Sequence, residues 1–213
     1  MKFYKPDGTS IDKVEFIEYY SDFYYYFVSY EYEKMILELL GKKEVLDSDD
    51  VKQIILWKTG AIEDAGVIKT RYPIKTLELN KIKMEKIDDN NEQARQFLKR
   101  ISEIAGLGST YMITLLFFAS NGKFPIYDKF AHMALCAIKE GVIPHENIKT
   151  YKILPDKSGG YWNAYEEYRK LLKEVADGYE YKGFSDDNRK LDRALWVYGH
   201  MFKEKVIERR LKK

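Results

Sequence analysis

The segment ISEIAGLGST, from Ile101 to Thr110, decides the fold of this chain. Two glycines flank one apolar residue, and glycine tolerates the positive φ that a very tight reversal between helices requires. Leu107 is expected to pack between the two helices and hold the turn. The amides near Gly106, Gly108 and Thr110 would then point outwards at the start of the second helix, where unpaired N–H groups and partial positive charge favour a phosphate. The alternative is an ordinary αα-hairpin whose glycines only form the corner.

Helical patterns lie on both sides of this turn. The residues from Asp88 to Asn91 are a strong helix-start signal, and the apolar residues that follow recur on one face of an amphipathic helix. Beyond the turn, Ser109 to Ala119 is apolar almost all round, which is typical of a buried helix. The sequence therefore predicts a helix-hairpin-helix over residues 93–119.

Most of the remaining chain also carries helical patterns. No proline lies between Pro6 and Pro73, which suits a run of helices. The tyrosine-rich stretch from Tyr19 to Tyr32 leaves a strand open as an alternative, because aromatic residues favour strands. The predicted helices are one or two over Asp12–Leu40, closed by Gly41; one capped within Ser48–Asp50 and stopping at Gly60; a short one around Leu79–Ile87; one opened by Asp128 and ended by Gly141; one over Tyr161–Ala176; and a last one from Ser185–Asp187 to Met201.

The predicted fold class is therefore all-α. Gly66–Asn80 and Pro144–Gly160 are interpreted as connections. We expect residues 1–213 to be a single unit built around the hairpin, within which the N- and C-terminal helices could form a second lobe. In the last helix Arg189, Asp192, Arg193 and Trp196 recur at helical spacing, which predicts a salt-bridged face packed through Trp196.

Composition limits the class of protein. Hydrophobic residues make up 45% and charged residues 33% of the 213, as in ordinary globular proteins, and no apolar run approaches the roughly 20 residues of a membrane span. The N-terminus lacks the apolar core of a secretion signal, so a cytoplasmic location and no membrane contact are expected. The single cysteine, Cys136, excludes an internal disulfide and any cysteine-based zinc or iron–sulfur site within one chain.

The net charge of +2 does not by itself indicate a nucleic-acid-binding protein. Six basic and two acidic residues lie between Lys203 and Lys213. Such a tail can contact phosphate. Basic side chains at a helix end also complement the helix dipole, so a solvated helix end is the alternative.

A second motif follows the hairpin. An apolar helix leads to the loop Phe124–Tyr127, and Asp128 then opens another helix. This order resembles the helix-hairpin-helix DNA glycosylase superfamily, which includes endonuclease III and the 8-oxoguanine glycosylases. In that family a glycine-rich hairpin precedes a proline–valine–aspartate segment whose aspartate is catalytic. Ala105–Gly108 matches the hairpin and Phe124–Asp128 matches the aspartate segment.

The resemblance implies an enzyme that grips the phosphate backbone of double-stranded DNA and removes a damaged base. Bifunctional members carry a nucleophilic lysine just after the second hairpin glycine, where this chain has Thr110, so the usual Schiff-base route to strand cleavage is lost. The four cysteines of iron–sulfur members are also absent. Both departures occur in members that only remove the base, and no metal or other cofactor is expected. The residues expected at the DNA are Gly106, Leu107, Gly108, Ser109, Thr110 and Lys129.

Asp128 is the candidate catalytic residue. Base removal passes through a sugar cation, which a nearby carboxylate can stabilise while it positions a water molecule. At a helix N-terminus the anionic form of Asp128 is favoured. The alternative is that Asp128 only caps its helix.

Aromatic side chains would receive a base that is flipped out of the duplex. The candidates are Trp57, Tyr127, Tyr161 and Trp162, although core packing is the ordinary role of each. Lys58 and Lys129 could contact phosphate or act as an unconventional amine nucleophile, but a solvated surface position is the expectation for both. His132 could pair with Asp128, four residues earlier; a single such pair is not a metal site.

Three functions stay open at this point. The first is a monofunctional DNA glycosylase that uses Asp128. The second is a non-catalytic DNA-binding module that keeps the hairpin for phosphate contact. The third is a helical protein-interaction domain, which the near-neutral charge and the tyrosine-rich N-terminal region favour.

Overall fold

The computed structural model describes residues 1–26, 30–59, 63–64, 67–68, 83–103, 107–144, 161–177 and 186–201. The fold in these ranges is mainly helical, which confirms the predicted all-α class. The described helices are α1 (Lys13–Tyr24), α2 (Tyr30–Gly41), α3 (Ser48–Thr59), α4 (Asn91–Ser102), α5 (Ser109–Ala119), α6 (Lys129–Glu140), α7 (Tyr161–Ala176) and α8 (Asp186–His200).

Several predicted features lie outside the described residues. They include hairpin residues 104–106, and with them Gly106, together with Gly60, most of both predicted connections and the basic tail from Lys203 to Lys213. None of the helices in the described ranges combines the length and apolarity that crossing a membrane requires.

Short antiparallel strand pairs accompany the helices. The strands are β1 (Phe3–Tyr4), β2 (Ser10–Ile11), β3 (Val45–Leu46), β4 (Glu63–Asp64), β5 (Val67–Ile68) and β6 (Met84–Glu85). They pair as β1 with β2, β3 with β6, and β4 with β5. The predicted short helix around Leu79–Ile87 is wrong at β6, because pairing with the distant β3 and burial of Met84 outweigh the local helical pattern.

Capping side chains set the starts of the helices. Asn90 caps α4, as the start signal predicted, by accepting hydrogen bonds from the amides of Glu92 and Gln93. The cap of α3 is Asp47, one residue before the predicted Ser48–Asp50: its Oδ1 accepts from the amides of Asp49 and Asp50 at 2.9 and 3.1 Å. A carboxylate at that position reaches two amides at once, which explains the shift.

The described part of the tyrosine-rich N-terminal region is helical except for a turn at Tyr25 and Tyr26, so the strand alternative is wrong there. It forms α1 and the start of α2. Rings on one face of α1 pack against α8: Phe16 and Tyr20 lie 5.2 and 5.0 Å from Tyr198, and Tyr24 lies 5.5 Å from Trp196. Aromatic side chains thus join the first described helix to the last one.

Helix α8 lies between α1 and α6. Gly199 permits its contact with α6, because a Cβ atom there would lie 1.9 Å from the carbonyl oxygen of Phe130. The first turn of α6 is therefore held directly against the last turn of α8. The buried apolar side chains form one cluster that includes residues of all eight described helices.

Lys86 joins three segments of the chain. Its Nζ atom donates hydrogen bonds to the carbonyl oxygens of Leu40 and Phe118, at 3.0 and 2.8 Å, and to Oδ1 of Asn121 at 2.6 Å. The two carbonyls belong to the last turns of α2 and α5. A cation at these two C-terminal ends complements their partial negative charge.

Candidate active site

The two helices of the predicted hairpin, α4 and α5, pack against each other. Leu107, predicted to pack between them, is buried and belongs to the hydrophobic core. Gly108 is the N-cap residue of α5 and provides no side-chain hydrogen bond to the helix. The first amides of a helix have no acceptor within it, so the start of α5 offers donors to an anion.

The other residues predicted to contact DNA differ in their exposure. Ser109 is only 1% exposed, and its Oγ atom has no hydrogen-bond partner among the described residues. Thr110 is half-buried, and Lys129 is exposed in the first turn of α6. A contact at the hairpin would therefore use backbone amides more than side chains.

Asp128 begins α6. Its Oδ1 atom accepts a hydrogen bond from the amide of Phe130 at 2.8 Å, so the carboxylate is the N-cap, as the sequence predicted. The side chain is 18% exposed. One carboxylate oxygen is thus committed to the helix, and the other is available for a second partner.

That second partner is Lys58, in the last turn of α3. Its Nζ atom lies 3.2 Å from Oδ2 of Asp128, and its side chain is only 14% exposed. The expectation of a solvated surface lysine is therefore wrong for Lys58, although it holds for Lys129. The arrangement suits both helices, because the cation sits near the negative end of α3 and the anion at the positive end of α6.

The surroundings of Asp128 keep it ionised. Burial alone would raise the pKa of the carboxyl group, but the Lys58 ammonium and the Phe130 amide outweigh that effect. His200 contributes in the same direction. The pKa of Asp128 consequently lies below its ordinary value, and the group is an anion at neutral pH.

A buried network of four charged side chains, here called the Arg189 network, connects α2 with α8. Glu33 Oε1 accepts hydrogen bonds from Nε of Arg189 at 3.1 Å and from Nη2 of Arg193 at 3.3 Å. Arg189 also pairs with Asp192 one turn later. The predicted salt-bridged face of α8 is confirmed, but its charges lie in the core and share Glu33 of another helix.

The Arg189 network lies next to the Asp128–Lys58 pair. The Arg189 guanidinium is 5.6 Å from the ring centroid of Trp57, the neighbour of Lys58. Burial raises the pKa of Asp192, and the negative charge of Asp128 raises it further, whereas Arg189 and Lys58 act in the opposite direction. The charges of α2, α3, α6 and α8 therefore act on one another as one electrostatic unit.

The chain matches no protein-family model, no curated protein and no solved structure. The arrangement of its own side chains is therefore the basis for assigning a function.

The four candidate residues for a base pocket, for each of which core packing was the ordinary role, differ in their surroundings. Trp57 is buried, with its ring centroid 5.5 Å from that of Phe118. Tyr127 lies in the core between His132 and Tyr168. Trp162, in α7, packs near Phe124 and Tyr165, and Tyr161 beside it is half-buried. Trp57 contacts the Arg189 network through its ring, and Tyr127 directly precedes Asp128 in the chain.

Trp57 and Trp162 share a second property. The indole Nε1 atom of each is buried and has no hydrogen-bond partner among the described residues. A buried donor without an acceptor is costly, and such groups are uncommon in folded proteins. The ring of Trp57 also lies beside Arg189, 5.6 Å from its guanidinium.

His132 does not pair with Asp128 through its side chain. Its backbone amide donates to the Asp128 carbonyl within α6, and its Nδ1 atom lies 3.3 Å from the hydroxyl of Tyr127. The imidazole is turned into the core, where it is 4% exposed. Within the described ranges no group of three or more His, Cys, Asp and Glu side chains could hold a metal ion.

The burial of His132 predicts a specific loss of stability in acid. Burial lowers the pKa of its imidazole from 6.5 to about 4, against a small opposing effect of Glu167. Between these values the unfolded chain binds a proton that the folded chain does not. Stability is therefore full above pH 6.5 and is lost as the pH falls through 4, by up to about 3 kcal/mol for this group.

The measurement is the free energy of unfolding in urea at pH 7, 5.5 and 4.5, for the wild type and for His132→Gln. The difference between the two proteins is expected to change by about 1 to 3 kcal/mol over this range, because the other titrating groups cancel. Parallel pH curves for the two proteins would show that His132 is not buried in its neutral form.

Proposed function

We propose that this protein is a DNA glycosylase-like enzyme that hydrolyses the N-glycosidic bond of a damaged nucleotide, with Asp128 as its catalytic carboxylate. The observation that carries the proposal is the position of Asp128. It is ionised, mostly shielded from water, and held by the Phe130 amide on one oxygen and the Lys58 ammonium on the other. A carboxylate of this kind is the group that a developing sugar cation requires.

The start of α5 supports the DNA-binding part of the proposal. It lacks a side-chain cap, and its Gly108 N-cap allows close approach of a phosphate to the backbone. Lys129 is exposed directly after Asp128 and can meet a second phosphate. DNA would be gripped at the hairpin while one nucleotide leaves the stack and brings its sugar to Asp128.

The main contribution of the protein to the proposed reaction is the negative charge of Asp128. As the bond between C1′ and the base nitrogen breaks, positive charge develops on the sugar, and the anionic Asp128 stabilises it. A water molecule held by the same carboxylate then adds to C1′, and its proton is lost to the carboxylate or to solvent. Base release leaves an abasic site and an intact strand.

A non-catalytic DNA-binding module is the second candidate. The observation that favours it is the ion pair itself, because a carboxylate already engaged by a helix amide and a lysine can be purely structural. The two candidates differ in whether Asp128 recognises positive charge on a sugar.

Binding of sugar analogues tests this difference without knowledge of the damaged base. Two duplexes would carry, at one central position, either a pyrrolidine ring that is cationic at neutral pH or the neutral tetrahydrofuran ring of similar shape. We expect the cationic analogue to bind at least about tenfold more tightly, since it resembles the transition state, and Asp128→Asn to abolish the preference. The exposed Asp22→Asn on α1 is the matched control and should retain it.

The possible results separate the functions. Equal affinity of the wild type for both analogues would contradict the catalytic proposal and favour the DNA-binding module. Failure to bind either duplex at low salt would contradict both and leave the protein-interaction domain.

A further inference from the structure

We infer that the exposed side of α2 binds a second copy of this chain, whose own α2 packs against it antiparallel across a two-fold axis. The surface, here called the α2 face, is a shallow groove lined by exposed side chains of α2 and of the residue that follows it. They are Glu31, Lys34, Met35, Glu38, Leu39 and Lys42. The inference does not depend on the proposed function, because none of these residues belongs to the Asp128 site.

Two large apolar side chains of the α2 face are half exposed. Met35 and Leu39 lie one turn apart and are 50% and 51% exposed, whereas the next residue after each, Ile36 and Leu40, is buried in the core. Neighbouring exposed apolar side chains with a charged rim are typical of a protein interface. Methionine suits such a surface, because its unbranched side chain adapts to the shape of a partner.

The charges around this apolar pair alternate in sign along the helix. They run from Glu31 through Lys34 and Glu38 to Lys42, and none of the four takes part in an ion pair with another described residue. In an antiparallel copy, Glu31 would lie opposite Lys42 at both ends of the contact, and Lys34 would lie near Glu38. A parallel copy would instead bring each charge to its own equivalent, and like charges repel. The charge pattern therefore favours the antiparallel arrangement.

One register satisfies all of these contacts. A two-fold axis perpendicular to an antiparallel pair keeps each flank of a helix beside the same flank of its copy. On one flank, Met35 lies opposite Leu39 of the copy if the axis passes position 37. On the other flank, Lys34 lies opposite Glu38 if the axis passes position 36. The end charges lie between the flanks and need an axis midway, so the three positions agree within half a residue of that midpoint, about 0.8 Å along a helix.

The size of the α2 face predicts a weak dimer. A standard interface uses about 20 to 30 residues from each partner. The α2 face has six. We expect a dissociation constant on the order of 100 µM at low salt, so that the dimer forms only in concentrated solution.

Sedimentation equilibrium of the full-length protein at low salt, from about 10 to 500 µM, measures this constant. Glu31→Lys and Lys42→Glu each place like charges at both ends of the interface, so each should raise the constant at least about tenfold. An equimolar mixture of the two variants should return to within about threefold of the wild type, because opposite signs meet at both ends of the mixed dimer. A purely structural effect of either substitution would not be reversed by mixing.

Glu18→Lys on α1 and Lys52→Glu on α3 are the matched controls. Both residues are exposed and lie outside the α2 face, and the substitutions change the net charge by the same amounts. Each control should associate as the wild type does. Wild-type protein that stays monomeric at about 500 µM would overturn the inference. So would α2 variants that associate as strongly as the controls, or weakened variants whose association is not restored by mixing.

Discussion

Replacing Gly199 with alanine is expected to lower the free energy of unfolding by about 3 kcal/mol, one of the two largest effects predicted for a single substitution here. The added Cβ would lie 1.9 Å from the oxygen and 2.5 Å from the carbon of the Phe130 carbonyl. Both are backbone atoms, so relief requires α6 and α8 to move apart. The better helix propensity of alanine, about 1 kcal/mol, opposes the change but does not cancel it.

Thermal and urea denaturation measure this effect. In a chain of this size each kcal/mol lowers the Tm by about 2 to 4 °C, so a decrease of about 6 to 12 °C is expected. Lys34→Ala, on the exposed side of α2, should stay within about 0.5 kcal/mol of the wild type. A Gly199→Ala protein as stable as Lys34→Ala would mean that α6 and α8 do not approach each other this closely.

The same contact connects the fold to the site. Phe130 is two residues after Asp128, and its ring lies against that of His200, with centroids 3.5 Å apart and planes tilted by 35°. A shift of the first turn of α6 would therefore also move the Asp128 carboxylate away from Lys58. The site depends on three helix ends that meet: the last turn of α3, the start of α6 and the last turn of α8.

Local sequence patterns predicted most of the helices. Apolar spacing placed α4, α5 and α7, and the start signals at Asn90 and Asp128 are the caps of α4 and α6. These features succeed because a cap or an amphipathic face is determined by residues within one or two turns. The pairing of Met84–Glu85 with Val45–Leu46 could not be predicted in this way, since it depends on residues far apart in the chain.

The charged site was harder to predict, although the sequence contains one indication of it: charged residues at positions of an apolar helical stripe. Lys58 continues the buried stripe of Val51 and Ile55 at helical spacing, and Glu33 continues that of Ile36 and Leu40. A charge within an apolar stripe must either be paired or reach a polar site, because burying it alone is very costly. The pattern therefore indicates that Lys58 and Glu33 have partners.

The identity of those partners could not be read from spacing. Asp128 is 70 residues from Lys58, and Arg189 is 156 residues from Glu33. Aromatic content gave equally little guidance, since Tyr127 and Trp162 are core residues and Trp57 was not distinguishable from them in the sequence. Tertiary packing decides which of these side chains meet.

Asp128→Asn is expected to reduce the rate of base release by at least about 100-fold, the second large effect predicted here. The loss of one well-placed electrostatic group at a developing charge typically costs a factor of 10² to 10³. Asparagine caps a helix as well as aspartate does, so α6 should keep its start and the protein its fold. The change removes the negative charge while leaving the shape of the site nearly unchanged.

The most direct test of the central claim is the initial rate at which free bases appear when the protein is mixed with alkylated, deaminated and oxidised duplex DNA, measured by mass spectrometry. The wild type should release at least one damaged base. Asp128→Asn should release it at least about 100-fold more slowly while the protein stays folded and binds the duplex no more weakly; its Tm falls somewhat, because Lys58 loses its ionised partner. Equal rates in the two proteins, or no base released from any of the three DNA pools, would contradict the assignment of Asp128 as a catalytic carboxylate.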